Sequence, residues 1–213
     1  LLIVVVNPEL CHGKLSPLEV QKQAFREYDA SHFSVLSKDY FARFNRDNSI
    51  EPFADEVLIG DKWQIVYSYD AHPVTELMAG YLKQFLNERM GLFLSISRQK
   101  QSSLKQTKNT IVLIEEDVGD SCDRESFTVE VISDQITIEG AGFEGLRSGI
   151  VKLSSDIGLR QAPIVPRGRT NYKSKIDIRA GSVAWMGSFR DLIFKGFNSV
   201  LLTGSLQDEL YGR

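Results

Sequence analysis

The chain has 213 residues, of which 42% are hydrophobic, 25% are charged and six are proline. This composition is typical of a folded globular protein of one or two domains, and it excludes a disordered tail or a collagen-like protein. The 25 basic and 28 acidic residues give a net charge of -3, so nucleic acid and anionic membranes are not expected partners. Two cysteines cannot form a disulfide framework or a four-cysteine zinc site.

Residues 1–56 are predicted to form an N-terminal helical or irregular segment. The apolar run at 1–6 is too short to cross a bilayer, and it is either a first strand or the remnant of a secretory signal peptide. The second interpretation favours a periplasmic or secreted protein. The first residue is Leu1 rather than methionine, which suggests a fragment or a processed form. Residues 16–19 form a capping box with proline at the first helical position, which predicts a helix start, and a second short helix is expected after Ser37.

A small α/β domain is predicted over residues 57–160. Aromatic and β-branched side chains at 63–69 indicate a strand. Apolar residues then recur every three or four positions, which predicts a helix over 73–90 that ends at Gly91. The remaining expected elements are strands at 92–97, 110–114, 127–132 and 135–139, a polar loop at 98–108, and a helix over 143–157 that ends at Gly158.

The order of these elements determines the predicted fold class. Only Ser133 and Asp134 separate the last two strands, which predicts a hairpin. We therefore expect an α/β (α+β) fold with a mixed sheet and two long helices on one face.

A boundary is predicted at residues 161–170, where two prolines and a glycine occur without hydrophobic periodicity. This segment is interpreted as a linker between domains. After it, residues 171–213 are expected to form a strand at 175–178, a helix from a capping box at Ser188 to Gly196, and a strand at 198–202. A strand, a helix and a strand with short links indicate a parallel βαβ unit.

The pattern resembles the small α/β domain that precedes the catalytic barrel in several glycoside hydrolases, namely β-N-acetylhexosaminidases, α-glucuronidases and α-N-acetylglucosaminidases. The runs that carry the resemblance are 73–77, 110–114, 127–131, 135–140 and 145–153. Residues 171–213 resemble the first strand, helix and second strand of the (β/α)8 barrel that follows. Residues 175–181 approximate the Arg-Gly motif of the first barrel strand, and 202–210 are loosely similar to the segment after the second strand.

The resemblance implies that the chain is the N-terminal portion of a glycoside hydrolase whose α/β domain is non-catalytic. Its partner would be a carbohydrate substrate, with no cofactor. No metal is expected, because His12, His32 and His72 each lack a second histidine at metal-site spacing. In the resembling families the catalytic carboxylates lie on later barrel strands, which this chain does not contain. We therefore expect the fragment alone to be inactive. The alternative is a stand-alone α/β binding or structural module without enzymatic activity.

Residues that follow the carboxyl ends of barrel strands face the substrate. With strands at 175–178 and 198–202, this rule predicts substrate contacts from Arg179, Trp185, Thr203, Gln207 and Asp208. A guanidinium can bind two sugar hydroxyls, and an indole can stack on a sugar face. The alternative is structural: Arg179 pairs with an acidic side chain, and Trp185 packs beneath a loop.

Two further patterns are interpreted as structural. Residues 140–145 match the dinucleotide-binding glycine motif, but the strand before them is the second arm of a hairpin, and no acidic residue ends a strand at the distance needed to bind a ribose. Their glycines are expected to allow a sharp turn and close packing. The acidic run at 115–117 is expected to form a solvated strand end rather than a catalytic pair.

Overall fold

The computed structural model describes residues 44–116, 124–176, 178–182 and 189–201. The elements are, in chain order, β1 (Glu56–Leu58), β2 (Gln64–Ser68), α1 (Pro73–Met90), β3 (Ser95–Gln99), a 3-10 helix (Gln101–Gln106), β4 (Thr110–Glu116), β5 (Phe127–Ile132), β6 (Gln135–Ala141), α2 (Gly142–Arg160), β7 (Ile164–Pro166), β8 (Gly168–Tyr172), β9 (Ala180–Ser182), α3 (Phe189–Phe194) and β10 (Ser199–Leu201). The helices and strands predicted before residue 44 lie outside the described residues.

Six of these strands form one mixed sheet in the order β3-β2-β4-β6-β5-β8. The neighbours β3, β2, β4 and β6 run parallel, whereas β5 is antiparallel to both β6 and β8. The predicted hairpin is confirmed, because Ile132 pairs with Gln135 across the turn. Two smaller sheets pair β1 with β7 antiparallel and β9 with β10 parallel.

Both long helices cover one face of the six-stranded sheet, as the sequence predicts. Their inward residues form one buried cluster with β2, β4 and β6, in which Leu82, Ile111 and Ile150 are fully buried. Helix α1 ends at Gly91, whose positive φ of 67° favours glycine. The prediction that Gly158 ends α2 is wrong. The helix continues to Arg160, and Gln161 forms the left-handed cap at φ 56°.

The opposite face of the sheet has a much smaller apolar cluster. The 3-10 helix places Leu104 against Val66, Val112 and Ile114, and Leu104 is fully buried there. The sequence predicted an unstructured polar loop over 98–108, because a single leucine among polar residues carries no period. The structure instead extends β3 to Gln99 and folds the next residues into one short helix.

Residues 161–170, which the sequence indicated as a linker, contain β7 and most of β8. Val165 is buried and pairs with Val57 of β1, and Thr170 pairs with Val129 of β5 at the edge of the main sheet. Proline is tolerated at a strand end such as Pro166, so the two prolines did not exclude strands. The expectation of an irregular segment is therefore wrong. The division into domains at this point stays a prediction.

The final described elements form a short parallel βαβ unit, β9-α3-β10. Helix α3 ends before Gly196, at φ 85°, and the last strand lies within the predicted range. The first strand was misplaced, because it occupies Ala180–Ser182 instead of 175–178. Among the described helices, none has the length and apolar character needed to cross a membrane.

Candidate functional site: a shared carboxylate

Glu125, two residues before β5, accepts hydrogen bonds from three side chains that are distant in the sequence. Arg147 Nη2 of α2 lies 2.8 Å from Oε1, and Asn198 Nδ2, before β10, lies 3.0 Å from the same oxygen. Arg179 Nη2, before β9, lies 2.6 Å from Oε2. We call these four residues the Glu125 cluster. The cluster joins the main sheet and α2 to both strands of the βαβ unit.

Arg179 makes further contacts inside the chain. Its Nε donates to the Gly196 carbonyl oxygen at 2.7 Å, and its Nη1 donates to Ser174 Oγ at 2.7 Å and to the Ile176 carbonyl oxygen at 2.6 Å. Its backbone N donates to Asn198 Oδ1 at 2.8 Å. All three guanidinium nitrogens therefore donate to protein acceptors, which holds the residue before β9 in one orientation.

The cluster is largely shielded from water. The exposed fraction of the side chain is 16% for Glu125, 19% for Arg147 and 27% for Arg179. Hydrogen-bonded pairs between charged groups are strong in such surroundings, and removal of one partner leaves the other charge poorly solvated. Because one carboxylate serves two guanidinium groups, loss of Glu125 would leave two neighbouring cations without their shared anion.

Glycines on α2 bring Arg147 close to Glu125. A Cβ on Gly145 would lie 2.2 Å from the Ser126 carbonyl oxygen, and a Cβ on Gly149 would lie 2.4 Å from Ile138 Cγ2. These distances are far below van der Waals contact, so only glycine permits this approach of α2 to the sheet. The glycine spacing on one helix face therefore determines the position of the charged cluster.

A cavity of about 390 Å³ adjoins the cluster between α2, the segment after β8, and the βαβ unit. Tyr172 lines it, stacked on Phe127 at 4.7 Å between ring centroids, and Lys152 lies 5.2 Å from the Tyr172 ring. Burial alone would lower the pKa of Lys152. The hydrogen bond to Asp156 acts in the opposite direction, and the pKa of Lys152 is raised above its ordinary value. Lys152 at this wall of the cavity is therefore held in an ion pair with Asp156.

The structure places Arg179 at the other end of the strand from the one that the sequence predicted. Arg179 was expected to follow the first strand, but β9 begins at Ala180, so Arg179 lies at the amino end of that strand. The carboxyl-end rule therefore does not apply to Arg179. Under that rule, residues after Ser182 would face a substrate. The other predicted residues, Trp185, Thr203, Gln207 and Asp208, lie outside the described residues.

The glycine motif at 140–145 has the packing role that the sequence suggests. A Cβ on Gly140 would lie 2.0 Å from the Leu146 backbone N, so the turn from β6 into α2 has no space for a side chain.

Of the acidic run, Glu115 accepts hydrogen bonds from the His72 backbone N at 3.0 Å and from Thr75 Oγ1, and Asp117 lies outside the described residues. In the part of the chain that the structure describes, no group of three potential ligands is placed to hold a metal.

Sequence reasoning did not find Glu125 or Asn198. Glu125 is separated from its partners Arg147, Arg179 and Asn198 by 22, 54 and 73 residues, and no local motif reports contacts over such distances. The available signal was weaker: an acidic residue two positions before a strand, and a polar residue two positions after Gly196.

Comparison with solved structures identifies the same fold in glycoside hydrolases. CpGH84D matches with a TM-score of 0.50 and 10% identity over 74% of this chain and 30% of its own. A GH20 β-N-acetylhexosaminidase from Streptomyces coelicolor A3(2) has a TM-score of 0.49 and 15% identity over 68% of this chain and 29% of its own. A GH138 enzyme targeting pectin rhamnogalacturonan II has a TM-score of 0.44 and 15% identity over 55% of this chain and 16% of its own.

No protein-family model matches the chain, and no curated protein matches it. The chain spans less than a third of the length of the structures that it resembles, with 29% of the hexosaminidase and 30% of CpGH84D covered. The identities are low, so this similarity concerns the fold. The chain thus has the mixed α/β fold that occurs in glycoside hydrolase structures.

Proposed function

We propose that this chain is the N-terminal portion of a glycoside hydrolase. In this proposal, the elements from β1 to β8 form a non-catalytic α/β domain, and β9-α3-β10 begins the catalytic barrel. The observation that carries the proposal is the order of elements: a mixed six-stranded sheet is followed by the parallel unit β9-α3-β10, which the Glu125 cluster binds to the sheet. The fold shared with CpGH84D supports the same assignment.

The βαβ unit and the segment before it also expose apolar surface, which the remaining strands and helices of a barrel would cover. Val200 of β10 is 37% exposed, and Ile178, directly before Arg179, is 73% exposed. Two strands of three residues cannot bury their own apolar faces, whereas a (β/α)8 barrel of about 250 residues encloses them between neighbouring strands and helices.

Within this proposal Arg179 is a positioning residue. Glycosidase sites lie at the carboxyl ends of barrel strands, and Arg179 lies at the amino end of β9. It would hold β9 in register against the α/β domain. Substrate contacts are assigned instead to Trp185, Thr203, Gln207 and Asp208, which follow β9 and β10 in the sequence.

The chemistry of glycoside hydrolysis requires groups that this proposal places on later strands. It generally uses two carboxyl groups on either side of the glycosidic bond, one as acid and one as nucleophile or base. The acidic residues Glu115 and Glu125 of the described α/β region bind protein donors. Because the proposal places the catalytic carboxyl groups on later barrel strands, the isolated 213-residue chain is expected to hydrolyse nothing.

Aryl-glycoside assays on two proteins test the proposal: the 213-residue chain and the product of the complete gene. We expect turnover only by the complete product, and a fall of about tenfold or more in kcat/KM for Trp185→Ala, because a lost stacking contact misplaces the sugar. Phe93→Ala, which removes a 74% exposed ring of the α/β region, is the control and should leave kcat/KM unchanged. Turnover by the 213-residue chain would contradict the incomplete site, and an inactive complete product would favour a stand-alone binding module.

A further inference from the structure

A second cleft lies at the carboxyl ends of β2, β4 and β6. These strands are parallel neighbours, so their ends meet at one edge of the sheet. After β2 the chain continues through α1 to β3 on one side, and after β4 it continues to β5 and β6 on the other. The crevice between β2 and β4 is therefore a topological switch point, where open α/β sheets commonly bind ligands.

The cleft at this edge has two adjoining parts. One part, of about 550 Å³, extends from Ser68 at the end of β2 to Phe143 at the start of α2. The other, of about 520 Å³, lies beside the 3-10 helix. The two parts share Gln101, Glu115 and Glu116 as walls. We call the combined space the end cleft.

A ring pair forms one wall of the end cleft and is held in place by its neighbours. The His72 and Phe143 rings stack with centroids 4.4 Å apart and 15° between their planes. His72 Nδ1 accepts a hydrogen bond from the Val74 backbone N at 3.2 Å, and the His72 backbone N donates to Glu115 Oε1 at 3.0 Å. These contacts fix the imidazole before any ligand arrives, which reduces the entropy cost of binding.

Acidic side chains outnumber basic ones in the end cleft. Asp70, Glu116 and Glu144 line the first part together with Arg124, and Lys105 of the other part is paired with Glu139. Asp70 and Glu116 are exposed carboxylates, and Gln101 is an exposed amide that lines both parts. Carboxylates repel a phosphate or another anion, which disfavours nucleotides. They accept hydrogen bonds from hydroxyl groups, and a planar ring packs against the C–H face of a sugar.

We propose that the end cleft binds a neutral oligosaccharide, independently of any barrel. The His72–Phe143 ring pair would contact one sugar face, and Asp70, Gln101 and Glu116 would accept hydrogen bonds from its hydroxyl groups. This adds a carbohydrate-binding site to a region that the proposed function treats as non-catalytic, and it would hold even if the chain were a stand-alone module.

NMR titration of the ¹⁵N-labelled 213-residue chain with cellobiose, chitobiose, maltose and xylobiose tests this site. We expect saturable shifts for at least one sugar at the amides of Ala71, Gly142 and Phe143. Phe143→Ala and Gln101→Ala should each weaken that binding by about tenfold, whereas Phe93→Ala, at an exposed ring outside the cleft, should not change it. Gln101 is exposed in the 3-10 helix, so its variant remains informative if Phe143→Ala fails to fold.

Three outcomes would overturn the proposal. They are the absence of saturable shifts with all four sugars, shifts confined to another surface, and unchanged binding by the folded Gln101→Ala protein. Inorganic phosphate serves as the control ligand and should cause no shift in the cleft. The titration measures no glycosidase activity, so a negative titration would not contradict the proposed function. A negative aryl-glycoside assay would likewise not contradict sugar binding in the end cleft.

Discussion

The α/β region and the βαβ unit are stabilised in different ways. The α/β region buries two long helices against a six-stranded sheet, and residues such as Leu82, Phe85 and Ile111 are fully buried. The βαβ unit has two three-residue strands and a six-residue helix, and the Glu125 carboxylate ties it to the α/β region. Hydrophobic burial therefore dominates in the first region, whereas the second region combines a fully buried ring, Phe194 of α3 in the main core, with the charged hydrogen bonds of the Glu125 cluster.

The largest expected effect lies in the core of the α/β region. Leu82→Asp places a charge in a fully buried position on α1, and we expect a loss of about 4 kcal/mol or more in the free energy of unfolding. Leu77→Asp, on the same helix but 49% exposed, is the matched control and should cost far less. Urea denaturation followed by circular dichroism measures both variants. Equal stability of the two variants would show that α1 does not bury the Leu82 face.

The next effect concerns close packing at the start of α2. Gly140→Ala should destabilise the protein by about 1–3 kcal/mol, because its Cβ would lie 2.0 Å from the Leu146 backbone N. Gly80→Ala in α1 is the control: a Cβ there meets nothing within 4 Å, and alanine should stabilise the helix by about 0.5–1 kcal/mol. Melting temperatures should therefore shift in opposite directions. A shift of the same sign in both variants would contradict this packing argument.

Loss of the shared carboxylate should affect mainly the βαβ unit. We expect Glu125→Gln to lower the local free energy of opening around β9 and β10 by about 1–3 kcal/mol, since it leaves Arg147 and Arg179 without their shared anion. Glu130→Gln is the control, because Glu130 is more exposed and lies 3.8 Å from Arg169. Limited proteolysis should cut near residue 178 sooner in Glu125→Gln alone. Identical cleavage rates for both variants would count against the cluster.

The smallest expected effect is a pH dependence at the start of the α/β region. Hydrogen bonds from Arg160 hold the pKa of Glu56 below its ordinary value of 4.5. A carboxyl with a lowered pKa in the folded state stabilises the protein above about pH 4.5, and this contribution is lost as the pH falls through the folded value. The melting-temperature difference between wild type and Glu56→Gln should thus shrink from about pH 7 to about pH 3. A melting-temperature difference that does not change with pH would show that the Glu56–Arg160 ion pair is not its source.

The α/β region was largely predictable because its elements are long and periodic. Helix α1 has 18 residues with a regular apolar face, and its end at Gly91 follows from a local rule. The first strand of the βαβ unit was not predictable in this way. Ile176 and Ile178 alternate with polar residues as in a strand, yet they are 61% and 73% exposed. The strand forms instead at Ala180–Ser182, where pairing with β10 outweighs weak strand propensity.

The Glu125 cluster was not predictable for a different reason. Its contacts depend on how the sheet, α2 and the βαβ unit pack, and a single sequence carries no local pattern for such pairs. The sequence did identify Arg179 as notable, but the misplaced strand put it at the wrong end of β9. A shift of a few residues in one strand therefore moved Arg179 from the carboxyl end of that strand to its amino end.

Hydrogen exchange across residues 178–201 tests most directly the claim that Glu125 fastens the βαβ unit to the α/β region. Peptides from the wild-type chain and from Glu125→Gln should be compared by mass spectrometry, with peptides from α1 as an internal reference. We expect the amides of β9 and β10 to exchange about ten times faster or more in Glu125→Gln, while α1 exchanges at the wild-type rate. Equal exchange of β9 and β10 in the two proteins would show that Glu125 does not fasten the βαβ unit.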